Sequence, residues 1–250
     1  MKKVINWDDI TLEQFIEVQT LEKDNDYSFN LISIVYDISI EEIEDLSIEE
    51  FNELLNNLSF FKKLPTKPKS IIKIDDVELH LIDDITKYTL GEWIDIENLL
   101  QEDIVGNLPK LCSILYRKLI KGDSFQPDEF EPYGNYIQHR SKLFLNLSIA
   151  DVYGIVPMMI NHKSIITTNY DGLFNDVEEK WIEEDNETPQ EKFERRKNER
   201  VEKYNQKWGW DRVIYKLTDG DITKFEEIYK LPLIMVLNFM SMQSELKLVK

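Results

Sequence analysis

The chain has 250 residues, of which 48 are acidic and 30 basic, for a formal net charge of −18. That balance argues against nucleic-acid binding, which needs clustered positive charge to displace counterions. Hydrophobic residues at 42% argue against wholesale disorder, and only eight Gly and eight Pro disfavour a turn-rich β-sandwich.

The expected fold class is mainly α, one or more multi-helix domains with a small β-hairpin insertion near residues 70–82. Helix starts recur as a Ser or Thr followed three residues later by Glu or Gln, a pair that can cap orphan amides reciprocally. They are Thr11/Gln14, Ser39/Glu42, Ser47/Glu50, Thr89/Glu92, Thr188/Glu191 and Thr223/Glu226. The first region, 1–64, is read as acidic and helical. Phe15, Ile16 and Val18 follow the first cap, and Leu31, Ile32, Ile34 and Val35 form a second apolar run. Phe51, Leu54, Leu55 and Leu58 then make the stripe of an amphipathic helix. Ser-Ile-Glu-Glu occurs at 39–42 and again at 47–50, too closely spaced for a solenoid repeat. It reads as a short helix running into a longer one.

Residues 65–88 are expected to be a linker and hairpin. The prolines of 64–69 end the helical run. Ile71 to Ile74 and Val77 to Leu81 flank Asp75-Asp76 as two strands around a tight turn. The central region, 89–181, is expected to be helical at 90–100, 108–119 and 136–147, with a polar loop over 120–131. A further helix starts at Ala150 and is interrupted at Pro157. Residues 171–187 hold eight acids and one Lys; residues 188–207 hold seven bases and four acids. Residues 182–207 are thus expected to form a charged helical arm. In 208–250, Trp208-Gly209-Trp210 opens a helix with Val213, Ile214 and Leu217. Asp219-Gly220-Asp221 turns, 222–229 is a capped short helix, and a final helix begins at Leu231-Pro232.

Chemistry is hard to find in this pattern. Cys112 sits among helical apolar residues and reads as a small buried hydrophobe. His80, His139 and His162 are far from one another and from other ligands at metal spacing, so they read as surface or interface residues. Asp75-Asp76, Asp83-Asp84 and Asp95/Glu97 read as turns and solvated faces rather than a Mg²⁺ site. No EF-hand, phosphate loop, dinucleotide fingerprint or nucleophile elbow is present. The expectation is a non-enzyme with no catalytic residue, no cofactor and no metal. No apolar stretch approaches the roughly 20 residues of a membrane span, and the N-terminus does not read as a signal peptide. A soluble, cytosolic protein that contacts neither membrane nor nucleic acid is expected.

Partner binding is expected at Glu41, Glu42, Glu49 and Glu50 of the acidic N-terminal helices, at Arg195, Arg196 and Arg200 of the arm, and at Trp208 and Trp210. The two tryptophans flank a glycine and would face opposite ways, one into the core and one partly outward.

Three pieces of sequence resemble proteins of the morphogenesis clusters of tailed bacteriophages, including crAss-like phages. The first is Trp7, Ile10, Thr11, Phe15 and Val18. The second runs from Ser39 to Leu64, ending in Phe60-Phe61 and Leu64-Pro65. The third is Gly209-Trp210, then Gly220-Asp221-Ile222-Thr223-Lys224-Phe225 with Ile228, then Leu231-Pro232, Val236-Leu237 and Phe239. The resemblance implies a non-enzymatic role in phage assembly through contacts with phage structural proteins, such as a tail assembly chaperone, or else a minor component of the mature virion. The site of action would be the host cytoplasm during assembly, or the virion, and self-association is an open alternative. An acidic DNA-mimic inhibitor and an enzyme with an unfamiliar site are the competing readings.

Overall fold

The computed structural model describes residues 2–123, 126–134, 136–174 and 188–248. The fold is mainly α, with thirteen α-helices and five short strands among the described residues. It divides into two compact units, one of residues 1–84 and 96–163, the other of 85–95 and 164–250. Both units are discontinuous along the chain, so neither coincides with a single one of the consecutive regions delimited by sequence.

The first unit opens with a 3-10 turn at Trp7–Asp9, followed by α1 (Leu12–Thr20), α2 (Tyr27–Tyr36), α3 (Ile40–Glu44) and α4 (Ile48–Asn57). The caps at Thr11, Ser39 and Ser47 all form as reciprocal boxes with Gln14, Glu42 and Glu50. The two Ser-Ile-Glu-Glu repeats therefore start two separate helices, each with its own cap, rather than one helix continuing into the next. Trp7 is the hub of the core here. Its ring lies 5.8 Å from Phe15, 5.1 Å from Phe60 and 4.4 Å from Phe61, and its indole N–H donates to the Lys63 carbonyl at 2.8 Å. The hydrogen bond lets a polar group enter an apolar cluster without an unsatisfied donor.

The expected hairpin is present as β1 (Ile71–Ile74) and β2 (Val77–Leu81), paired antiparallel through Ile74↔Val77. Asp75 takes the left-handed turn conformation, with φ 53°. The hairpin buries Ile72, Ile74 and Leu79. Next come α5 (Leu90–Gln101), whose residues from Ile96 belong to this unit, and α6 (Leu108–Leu115).

Two expectations fail after α6. The helix stops at Leu115 instead of 119, because β3 (Tyr116–Arg117) pairs with β2 through Leu81↔Tyr116 and His80↔Arg117. The described residues 120–123 and 126–130 of the expected loop are strands: β4 (Leu119–Asp123) and β5 (Gln126–Phe130) form an antiparallel pair of irregular register. The molecule is thus mainly α, with two small antiparallel sheets.

The unit closes with α7 (Ile137–Phe144), α8 (Ile149–Val152) and the first part of α9 (Ile155–Asn169). The interruption expected at Pro157 falls at Tyr153-Gly154, between α8 and α9. Pro157 sits in the first turn of α9, where its missing N–H leaves no intrahelical bond unmade. The segment 64–69 is then fixed along α8. The Lys69 N–H donates to the Asp151 carbonyl at 2.9 Å, its ammonium meets the Asp151 carboxylate at 2.6 Å, and the buried Tyr116 hydroxyl donates to the Lys69 carbonyl at 2.7 Å.

The second unit contains the start of α5, the end of α9, α10 (Asp171–Phe174), α11 (Pro189–Leu217), α12 (Phe225–Tyr229) and α13 (Leu233–Leu248). Thr89 and Glu92 form the expected reciprocal cap. The cap expected at Thr223 does not form: Asp221 accepts from the Thr223 N–H instead and starts a 3-10 turn at Ile222–Lys224. Leu90 N–H to Leu231 carbonyl (2.9 Å) and Leu233 N–H to Tyr88 carbonyl (2.8 Å) tie the start of α5 to the start of α13. Tyr88, Leu90, Trp93, Ile214, Leu233, Val236 and Leu237 are buried in this unit. The acidic residues 175–187, with Trp181 and the beginning of the arm expected at 182–207, lie outside the described residues.

Candidate functional site

Cys112 is fully buried, and loss of solvent pushes its thiol well above the ordinary range. A thiol held neutral is a packing group, not a nucleophile. His162, expected at a surface or interface, is instead only 7% exposed. Burial lowers its pKa, opposed by Asp83 and Asp84. His139 is exposed on α7, and the His80 ring nitrogen lies 3.1 Å from the Glu78 carboxylate. Among the described residues no three His, Cys, Asp or Glu side chains converge as a metal site would require. No described helix is long and apolar enough to cross a membrane.

The four glutamates singled out by sequence are all exposed, on the first turns of α3 and α4, but they divide into two kinds. Glu42 accepts from the Ser39 N–H at 2.8 Å, and Glu50 accepts from the Ser47 N–H at 2.9 Å and its hydroxyl at 2.8 Å. The Ser47 amide, then its hydroxyl, hold the Glu50 carboxyl below the ordinary glutamate range. These two side chains complete helix caps. Glu41 and Glu49 accept no such bond, and their charge is available to a partner. Between them Ile48 stands 75% exposed.

The arm residues are also divided. Arg196 and Arg200 are exposed on α11, whereas Arg195 is half-buried. Phe193, one turn before Arg196, is 70% exposed. Near its end α11 breaks at Gly209, whose φ of 29° and ψ of −112° leave the helical region. Glycine tolerates this conformation because it has no Cβ. Trp208 is 43% exposed and Trp210 half-buried, so neither is the core anchor expected of one of them.

A further element, α13, carries an exposed apolar surface that the sequence reading did not single out. On α13, Leu233, Val236 and Leu237 are buried, whereas Met235, Phe239, Met242 and Leu246 are 50%, 44%, 50% and 52% exposed. Their spacing of four, three and four residues places them on one face. No charged residue occurs from Leu231 to Ser244, in a chain where 31% are charged. A helix apolar all round reads in sequence as buried; the clue lay in this run of uncharged residues being longer than one buried stripe requires. The Tyr170 hydroxyl donates to Asn238 at 2.8 Å and fixes the rotation of α13 beside this stripe.

Comparison with protein-family models, with curated proteins and with solved structures found no match.

Proposed function

We propose that this chain is a non-enzymatic bacteriophage assembly protein, a tail assembly chaperone that acts through protein–protein contacts. The observation that carries this reading is the uncharged exposed face of α13, Met235, Phe239, Met242 and Leu246. Contiguous exposed apolar surface of this kind marks an interaction site, and methionines adapt to irregular partners. Met235 and Phe239 fall within the span of the third of the sequence pieces that resemble phage morphogenesis proteins, and Met242 and Leu246 follow it. A chaperone needs an apolar face for its client and a strongly charged remainder to keep the pair in solution, and a net charge of −18 provides the latter.

Co-expression with the tail and capsid proteins of a crAss-like phage tests the proposal. One tail protein should co-purify with the chain and become more soluble in its presence, while mass spectrometry of purified particles should not detect the chain. Its presence at stoichiometric copy number in mature particles would make it a virion component. Failure to retain any phage structural protein would remove the assembly reading.

A further inference from the structure

We infer that the basic face of α11 docks the acidic α3–α4 surface of a second copy of this chain. Lys192, Arg196 and Arg200 recur every fourth residue along α11, with Phe193 and Lys197 adjoining them, and all five are exposed. At 100° per residue they occupy one continuous face. Among the described residues none closes an ion pair with these four cations. They surround Phe193, 70% exposed.

The complementary surface is on the same chain. Glu41, Glu44 and Asp45 around α3, and Glu49 and Glu53 on α4, are exposed. Ile48, the first residue of α4, is 75% exposed. One surface is thus cationic with an exposed aromatic side chain, the other anionic with an exposed aliphatic one. Opposed charge selects and orients such a contact, and the apolar centre adds area that salt does not screen. A second copy of the chain and a polyanion such as DNA both meet the repulsion of a net charge of −18; exposed Phe193 has an apolar counterpart in Ile48 of a second copy and none on a duplex phosphate backbone, which favours the protein occupant.

Each copy offers one face of each kind, so two copies can exchange both contacts in a closed two-fold dimer or pass them on head-to-tail. The inference is independent of the phage reading, which rests on α13.

Sedimentation velocity of the full chain tests it, at rising concentration in about 0.05 M and about 0.5 M salt. The sedimentation coefficient should rise with concentration at low salt, and the rise should be lost at high salt. R196E/R200E and E41R/E49R should each sediment as monomers, with far-UV circular dichroism unchanged because all four positions are exposed. An equimolar mixture of the two variants should associate again. Should either reversal unfold the chain, the milder R196Q/R200Q and E41Q/E49Q variants should weaken association about tenfold per pair. Concentration-independent sedimentation of the native chain overturns the inference, as does association indifferent to both variants or a mixture that stays monomeric. Binding of a labelled DNA oligonucleotide that R196E/R200E abolishes would assign the face to nucleic acid instead.

Discussion

Gly154 is the position where a single methyl group should do most damage. A Cβ there would lie 2.1 Å from the Pro68 nitrogen, 2.2 Å from the Lys67 carbonyl carbon and 2.5 Å from Pro68 Cδ. Two of these atoms are backbone and the third belongs to a closed ring, so no side chain can swing aside. The 67–68 segment must move by more than 1 Å. Such a shift strains the Lys69 N–H bond to Asp151 and the Tyr116 hydroxyl bond to the Lys69 carbonyl. Overpacking costs about 1–3 kcal/mol, and a weakened part-buried hydrogen bond about 1 kcal/mol more. Gly154→Ala should therefore destabilise the protein by about 3 kcal/mol, roughly 6–12 °C in Tm for a chain of this size.

The sign makes the test sharp. Without the crossing of Pro68, Ala in place of Gly at the entry to α9 would stabilise by about 0.4–1 kcal/mol through the unfolded chain. Gly172 in α10 has nothing within 4 Å of its virtual Cβ, and Gly172→Ala should show that small stabilisation. Urea denaturation followed by circular dichroism measures both. A Gly154→Ala protein as stable as the parent would refute the packing of residues 67–68 against Gly154.

Three further outcomes follow from the geometry. E42A/E50A should lower the melting temperature, because alanine cannot accept the Ser39 and Ser47 N–H bonds, while E41Q/E49Q leaves the melting curve unchanged, and only the latter should weaken partner binding in a salt-dependent manner without loss of fold. Asp75→Gly should stabilise by about 1 kcal/mol, because Asp75 holds a left-handed φ of 53° that costs a side chain about that much; a loss of stability would contradict the turn geometry. His162 has a folded pKa below its ordinary 6.5, so the unfolded chain binds its proton first as pH falls. Its contribution is present in full above pH 6.5 and is lost as pH falls through that value toward the folded pKa; NMR titration of His162 at or above 6.5 would contradict its burial.

How much was legible from sequence depended on whether the deciding interaction was local. The hairpin at 71–81 was legible because alternation and a two-residue turn specify it within eleven residues. The caps at Thr11, Ser39, Ser47 and Thr89 were legible for the same reason. Thr223 misled because Asp221, two residues earlier, competes for the same amide. The end of α6 depended on β2, more than thirty residues away, which captures Tyr116 and Arg117. Strands β4 and β5 are polar, contain Pro127 and pair irregularly, so no alternation announces them. The α13 surface stayed hidden because hydrophobicity alone does not separate Val236, which packs, from Phe239, which does not. The glutamates were found, but only the hydrogen bonds divide Glu42 and Glu50, which cap, from Glu41 and Glu49.

On the proposed function, the exposed stripe of α13 is where this chain holds its client. The direct measurement is retention of phage tail structural proteins, from cells expressing them, by the tagged chain and by its F239D/M242D variant. Both positions are about half exposed, so the fold should survive the change. One tail structural protein should be retained by the native chain and lost with the variant. Equal retention by both, or retention of no phage protein by either, would contradict it.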